Sequence, residues 1–415
     1  MAKGKQTIIR ATEFFDGRKR LSHKTIVIEG DRIVDILSKR IKPHFEGIVT
    51  PAFIDAHSHI GMSREGEPGQ EGETNDFSHQ IQPLNDPLNS VYFDDRAFQD
   101  AVDFGVLYSC IIPGSGNLFG GRAKIIRNFA RHRREAEIAD YGYKMALGWN
   151  PRSTVAWKGP RPNTRMGLYS MLEERFDELL AKAEKAVISR ERQLFEIKQK
   201  SQEKGKAKDD LLKQQERVHR EFELSMSTEE LAILEALSGE RPIKVHVHKE
   251  DDALYLLELK QKYDLWVTAE HMGDVHHKEI FQLFAKEGVS IIYGPLGCLG
   301  YKTELSHSFY QNVKLLMESR ATFGLMTDHP VIHASLLRDS LRYFLMYGMT
   351  SEQAIGLITR VNAEILGLDE LLGTVEVGKL ASLLIWNRDP LHLSAIPQHV
   401  LAEGVEVRRF RLQSK

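Results

Sequence analysis

The chain's apolar positions cluster in short runs, and one of them ends in unusual polar residues. Residues 48–59 read Ile48-Val49-Thr50-Pro51-Ala52-Phe53-Ile54-Asp55-Ala56-His57-Ser58-His59. An extended strand sends side chains i and i+2 to the same face, so His57 and His59 can converge on one point beyond its end. Comparable runs follow at 106–112, 123–127, 143–148, 243–248, 265–271, 289–293 and 322–328, eight with the first. Helical patterns separate them. Strands alternating with helices predict a parallel sheet, and eight of them predict a closed (β/α)8 barrel of the TIM type.

Both ends of the chain have a different pattern. Residues 7–11, 24–28 and 33–37 are β-rich and separated by Asp16-Gly17 and Gly30-Asp31 turn chemistry. Residues 381–386 and 399–407 supply candidate partners, so the two termini are expected to meet in one small β domain. This divides the chain into a composite β unit, 1–50 with 362–415, and a barrel, 51–361. A helical insertion spans about 168–240, between the fourth and fifth barrel strands. Its stripe of Leu172, Phe176, Leu179, Leu180, Ala183 and Val187 has helical spacing. The Lys-, Glu- and Gln-rich part, 196–223, reads as a solvated helical hairpin with a break at Gly205. Loops 61–95 and 150–170 sit where they would shape a pocket at the barrel mouth.

With 415 residues, 42% hydrophobic, the chain can bury a large core. A formal net charge of −2 supplies no global field for nucleic acid or an acidic membrane. Cys110 and Cys298 give no disulfide framework. No stretch has the length expected of a signal-peptide core or a membrane span, so the expectation is a cytoplasmic protein with a small-molecule substrate.

Active-site groups of such barrels sit at the C-terminal strand ends. His57 and His59 close the first strand, His246 and His248 the fifth, His271 the sixth and Asp328 the eighth. Each alone reads as a hydrogen-bonded structural residue. Together they suggest a catalytic metal site with room for water. Zn is the first choice of cation, and Fe, Mn and Ni also suit His/Asp donors. Pro113-Gly114-Ser115-Gly116-Asn117 is Gly-rich but lacks the Lys-Ser/Thr of a phosphate loop, and reads as a site of close backbone packing. Arg165 could form a loop salt bridge or grip a substrate carboxylate.

The run Pro51–His59 resembles the opening signature of the metal-dependent amidohydrolase superfamily. Asn362-Ala363-Glu364-Ile365-Leu366-Gly367-Leu368 and Gly373-Thr374-Val375-Glu376-Val377-Gly378-Lys379 resemble its closing one. Pro113–Asn117 with Gly120-Gly121, Thr164–Gly167, His246-Val247-His248 and Thr327–Ile332 are similar to the imidazolonepropionase-like branch. The resemblance implies a deformed barrel with a β-sandwich made by both termini. It implies His57, His59 and His246 as metal ligands and Asp328 as a ligand or a contact of the metal's water. His271 would polarise the substrate carbonyl or bind a second metal. His248 falls to substrate contact or ligand orientation.

The chain departs from the family where Trp149 replaces the bridging carboxylate of close relatives, while Lys144 lies earlier on that strand, too deep to bridge. One metal is therefore expected rather than two. Position 249 is Lys where the superfamily's deaminases usually place Glu. Hydrolysis of an amide-like C–N bond, in a cyclic amide, N-acyl amino acid or dipeptide, is the leading expectation, with Asp328 and His271 catalytic. A heterocycle deaminase and a non-catalytic binding protein of the same fold are the alternatives. The resemblance is compatible with a homo-oligomer.

Overall fold

The computed structural model describes residues 6–152, 162–203, 208–300 and 302–410. Residues 153–161, inside the loop expected to shape the pocket, and Gly205, the expected helix break, lie outside the described residues.

Four strands open the chain: β1 (Gln6–Phe15), β2 (Arg20–Glu29), β3 (Arg32–Leu37) and β4 (Phe45–Pro51). Eight follow: β5 (Phe53–Ser58), β6 (Val106–Ile111), β7 (Phe119–Arg127), β8 (Glu137–Ala146), β9 (Ile243–Val247), β10 (Val267–His271), β11 (Ser290–Tyr293) and β12 (Phe323–Leu325). β13 (Leu383–Trp386), β14 (His399–Ala402) and β15 (Val405–Arg409) come last. Among the described residues the terminal strands form one seven-stranded sheet, β15-β14-β13-β4-β1-β2-β3, and the middle eight form a second, β12 through β5 in order.

The opening apolar run is therefore two strands, divided at Ala52. The Ala52 amide bonds Ser382 O at 2.9 Å, and the next amide, Phe53, bonds Gly105 O at 2.9 Å. Neighbouring residues thus serve different sheets. Both ends of the chain build the smaller sheet, with β4 between β1 and β13. Its edge strand β3 returns toward the segment before β13, where Ile33 N bonds Lys379 O and Ala381 N bonds Asp31 O. The sheet curls on itself around a core of its own that includes Ile9, Phe14, Ile26, Val49, Leu383 and Leu401.

The eight barrel strands appear where the pattern predicts them, but not all are parallel. β7 runs antiparallel to both β6 and β8. The connections 112–118 and 128–136 are shorter than the dozen or so residues a parallel return requires. At the first, Asn75 from the 61–95 loop packs on Gly114 and Gly116, and its Oδ1 accepts the Gly116 amide at 2.7 Å. A Cβ at either glycine would lie under 3 Å from that side chain, so the Gly-rich run does permit close packing.

The barrel closes between β12 and β5 without a regular ladder. Asn362 Nδ2 donates to Ile54 O at 2.6 Å and Leu325 O at 2.8 Å, while its Oδ1 accepts from Leu325 N at 3.1 Å. Asp55 accepts from the Thr327 amide at 3.0 Å and from its hydroxyl. Asp328 N bonds His57 O and His59 N bonds His329 O, so the two strand ends that carry His57, His59 and Asp328 are held in register.

Between β8 and β9, helices Arg165–Glu203, Lys208–Glu223 and Thr228–Leu237 form the insertion. Leu172, Phe176 and Leu179 are buried in the main core, with Phe176 edge-on to Tyr263. Leu180, one position on, is exposed, and the helix then runs on with charged side chains. Arg190 stacks over Phe222, joining the first two helices. Among the described residues, no helix is long and apolar enough to cross a membrane.

Candidate metal centre at the strand ends

The expected donors do converge. His57 Nε2 and His59 Nε2 lie 3.2 and 3.1 Å from the same oxygen, Asp328 Oδ1. His271 Nδ1 is 3.9 Å from Asp328 Oδ2, and its ring centroid is 4.9 Å from that of His57. His246 lies 4.3 Å and His248 4.6 Å from His271, ring to ring. Two overlapping donor groups result, His57–His271–Asp328 and His246–His248–His271. His248, expected at the substrate, belongs to the second group.

The outer nitrogens of three histidines are already committed. His57 Nδ1 donates to Glu270 Oε2 at 2.8 Å, His59 Nδ1 to Ile112 O at 2.8 Å and His271 Nδ1 to Gly294 O at 3.1 Å. This network assigns the tautomers, because each donor must be an N–H. The Nε2 atoms of all three are left facing inward. Among the described residues, His57 Nε2, His271 Nε2, His246 Nδ1 and His248 Nδ1 are buried with no hydrogen-bond partner.

Burial pushes His57, His246, His248 and His271 down, which keeps these imidazoles neutral. Burial alone would raise Asp328. The adjoining His271, His57 and His59 outweigh it, leaving the carboxyl well below the usual range. Neutral Nε2 lone pairs therefore face an anionic oxygen, acceptor against acceptor. A cation shared between them removes that conflict. The donor types and their outer hydrogen bonds match a divalent transition-metal site.

Sequence reasoning passed over several residues at this site. Glu270, which orients His57, is fully buried beside Lys244 Nζ at 3.0 Å and accepts from Thr268 Oγ1 at 2.6 Å. Burial opposes its ionisation, but Lys244 and His57 prevail and bring it to about 2. Strand alternation would put Glu270 and His271 on opposite faces. His271 has φ 75° and the next residue, Met272, 57°, so the strand turns there and both side chains reach His57. Asp328 also has a positive φ, 52°. Such backbone strain gathers at functional sites.

Glu304 is the other carboxylate missed. It is buried, accepts from Trp149 N at 3.1 Å, and lies 3.5 Å from His246 Nε2 and 4.0 Å from His248 Nε2. Lys144, expected to lie too deep to bridge metals, is electrostatically linked to the cluster. It is fully buried with no hydrogen-bond partner for Nζ among the described residues, and its charge reaches His57 and His246. Burial lowers its amine to about 8 despite Glu270 and Asp328. Arg165 stands outside the cluster, paired with the buried carboxylate of Asp252 at 2.9 Å.

Residues 242–407 match the sequence profile described as the amidohydrolase family. That segment carries His246, His248, His271 and Asp328. The C-terminal part of the chain is thus similar to the amidohydrolase family. Amidohydrolase tasK of Hapsidospora irregularis is 25% identical over 375 residues, covering 86% of this chain and 36% of that protein. The chain thus spans little more than a third of the length of that curated relative. Among solved structures, an amidohydrolase from Thermotoga maritima MSB8 superposes with a TM-score of 0.83 at 23% identity, covering 97% of this chain and 100% of that one. A prolidase complexed with N-methylphosphonate-L-proline gives 0.57 at 13% identity, covering 98% and 100%. At these identities the likeness is one of fold.

Proposed function

We propose that this protein is a divalent-metal hydrolase of an amide-type C–N bond. The observation that carries the reading is the convergence of two imidazole Nε2 atoms, of His57 and His59, on one oxygen of Asp328. His57, His59, His246 and Asp328 would hold the cation, with His271 at its edge. A bound divalent cation supplies Lewis acidity, lowering the pKa of water towards ~7 and polarising the scissile carbonyl.

The protein's own groups do the rest. Asp328 accepts the proton of the attacking water at its carboxylate and passes it to the leaving nitrogen. His271, held by the Gly294 carbonyl, keeps its Nε2 directed at the reacting centre. Glu270 fixes His57 in the tautomer that binds through Nε2. A cavity of about 260 Å³ beside Gly294 is lined by Tyr293, Phe309, Tyr310 and Tyr343, and suits an apolar substrate group. A second, of about 200 Å³, is lined by Arg152, Arg165 and Lys249 together with Asp252 and Glu304, and its three cations could take a carboxylate. These favour an N-acyl amino acid or dipeptide, a class consistent with the prolidase among the fold's neighbours.

The test is a metal assay of the purified chain with a panel of N-acyl amino acids, Xaa-Pro dipeptides and hydantoin-like rings. Turnover should need the metal and fall sharply in Asp328→Asn. An Asp328→Asn protein of undiminished activity would refute the assignment, and release of ammonia from heterocycles would favour the deaminase instead.

One observation favours two metals over one. A buried lysine without a partner, its amine at about 8, is chemically ready to add CO2, forming a carbamate and releasing a proton. A carbamate on Lys144 would supply the bridging carboxylate that Trp149 cannot. Two metal equivalents that require bicarbonate during loading would establish this form, and one equivalent regardless of bicarbonate would exclude it.

A further inference from the structure

We infer that the loops following β10 and β11 carry a separate site for a divalent transition-metal ion, formed by Asp274, His276 and His307. It stands apart from the strand-end donors and does not depend on the proposed function.

The three side chains offer ligand atoms within 4.8 Å of one another. Asp274 is almost fully buried, although it lies in a loop. Its Oδ1 accepts the His307 amide, and its Oδ2 lies 3.4 Å from His307 Nδ1. His276 Nδ1 donates to Asp274 O at 2.7 Å, which leaves the Nε2 lone pair as the ligand atom. The His276 and His307 rings stack at 4.2 Å with 24° between their planes. Two stacked imidazoles beside a buried carboxylate favour a borderline-soft divalent ion over Ca or Mg.

The surroundings hold this group in place. Glu250, at the start of helix Glu250–Tyr263, accepts the amides of His276 at 2.9 Å and His277 at 2.8 Å. Its other oxygen, Oε2, lies 2.8 Å from His277 Nδ1. A turn could be fixed by that carboxylate alone, and this account leaves the His276–His307 pairing on Asp274 unexplained. Lys249 Nζ lies 3.6 Å from Asp274 Oδ2 and is the charge a metal must displace. It is a third exposed and can turn to solvent.

An ion here would cross-link the loops after β10 and β11 at the barrel mouth. Gly273 packs against His248, and Lys249 follows His248 directly, so the site borders the catalytic donors without sharing a residue with them. Its predicted effect is to stiffen the mouth.

The full-length protein, stripped with chelator, is titrated with ZnCl2 by calorimetry, alongside His276→Gln, His307→Gln and Asp328→Asn. His276→Gln and His307→Gln should each bind one zinc equivalent fewer than wild type and lose part of the zinc-induced rise in Tm. Their melting in chelator should match wild type, which separates loss of a site from loss of fold. Asp328→Asn should keep the peripheral equivalent. If Asp328→Asn matches wild type while His276→Gln loses an equivalent, the strand-end metal is refuted and this site stands. Unchanged stoichiometry in both histidine variants, or no anomalous zinc peak between His276 and His307 in a soaked crystal, would overturn it.

Discussion

His57 Nδ1 lies 2.8 Å from Glu270 Oε2, with both side chains fully buried, and this bond decides which nitrogen of His57 faces Asp328. Glu270 is held ionised by Lys244, so the orientation of this first-strand histidine is set by residues of the fifth and sixth strands. The centre is a property of the closed barrel.

Glu270→Gln should weaken divalent-metal binding about 10- to 100-fold, the usual cost of losing a carboxylate behind a metal-bound histidine. It also leaves Lys244 buried without its counter-charge, at about 3–5 kcal/mol of stability. Adding Lys244→Met should restore stability but not metal affinity. Equilibrium unfolding and competitive metal titration read the two effects separately.

Lys144 makes a pH prediction for the metal-free protein in bicarbonate-free buffer. Its amine is at about 8 in the folded chain against 10.5 for an ordinary lysine. Between those values the unfolded chain binds more protons, so stability rises with pH across that window. Below it, burying the charged amine costs the fold about 3 kcal/mol. Lys144→Met should therefore be more stable than wild type at neutral pH, with the difference shrinking from pH 8 upward. Urea midpoints measured across the window test this, and parallel curves for the two proteins would contradict it.

Asn362→Leu removes the partners of Ile54 O, Leu325 O and Leu325 N at once. Each unsatisfied buried group costs about 1–3 kcal/mol, so the loss should exceed that of any ordinary surface change several-fold. Gly324→Ala should fail in the same place, because its Cβ would fall 1.9 Å from Asn362 Oδ1. Thermal melts and near-UV circular dichroism would register both.

Arg165→Met separates two roles. If the guanidinium only anchors Asp252, the variant loses stability and KM stays level. If it also meets a substrate carboxylate, KM rises at least ~10-fold for acidic substrates and stays level for their amides. The second outcome is expected, read from steady-state kinetics on paired substrates.

His57, His59, His246, His271 and Asp328 were readable because each ends an apolar run, and barrel geometry brings strand ends together. Glu270 was hidden by the period-two rule, which its positive-φ neighbour His271 breaks. Glu304 lies in a single 3-10 turn, Thr303–Leu305, too short to carry a periodic signal, and only the fold brings it to His246. The reversed direction of β7 was latent in the short 112–118 connection, since apolar content marks a strand but not its polarity. The division at Ala52 was invisible because both flanking strands are buried and read as one run.

The amide of Asn362 has a consequence for how the chain can be cut. A fragment ending at residue 361 keeps every barrel strand, yet lacks the amide side chain that bonds both the last and the first. Such a fragment keeps the Asp55–Thr327 bonds but leaves Ile54 O and the Leu325 amide and carbonyl without their partner, so its seam should loosen and self-associate. A complementary peptide starting at 362 would act as a clasp, so mixing the two pieces should recover a soluble, metal-competent particle that neither forms alone.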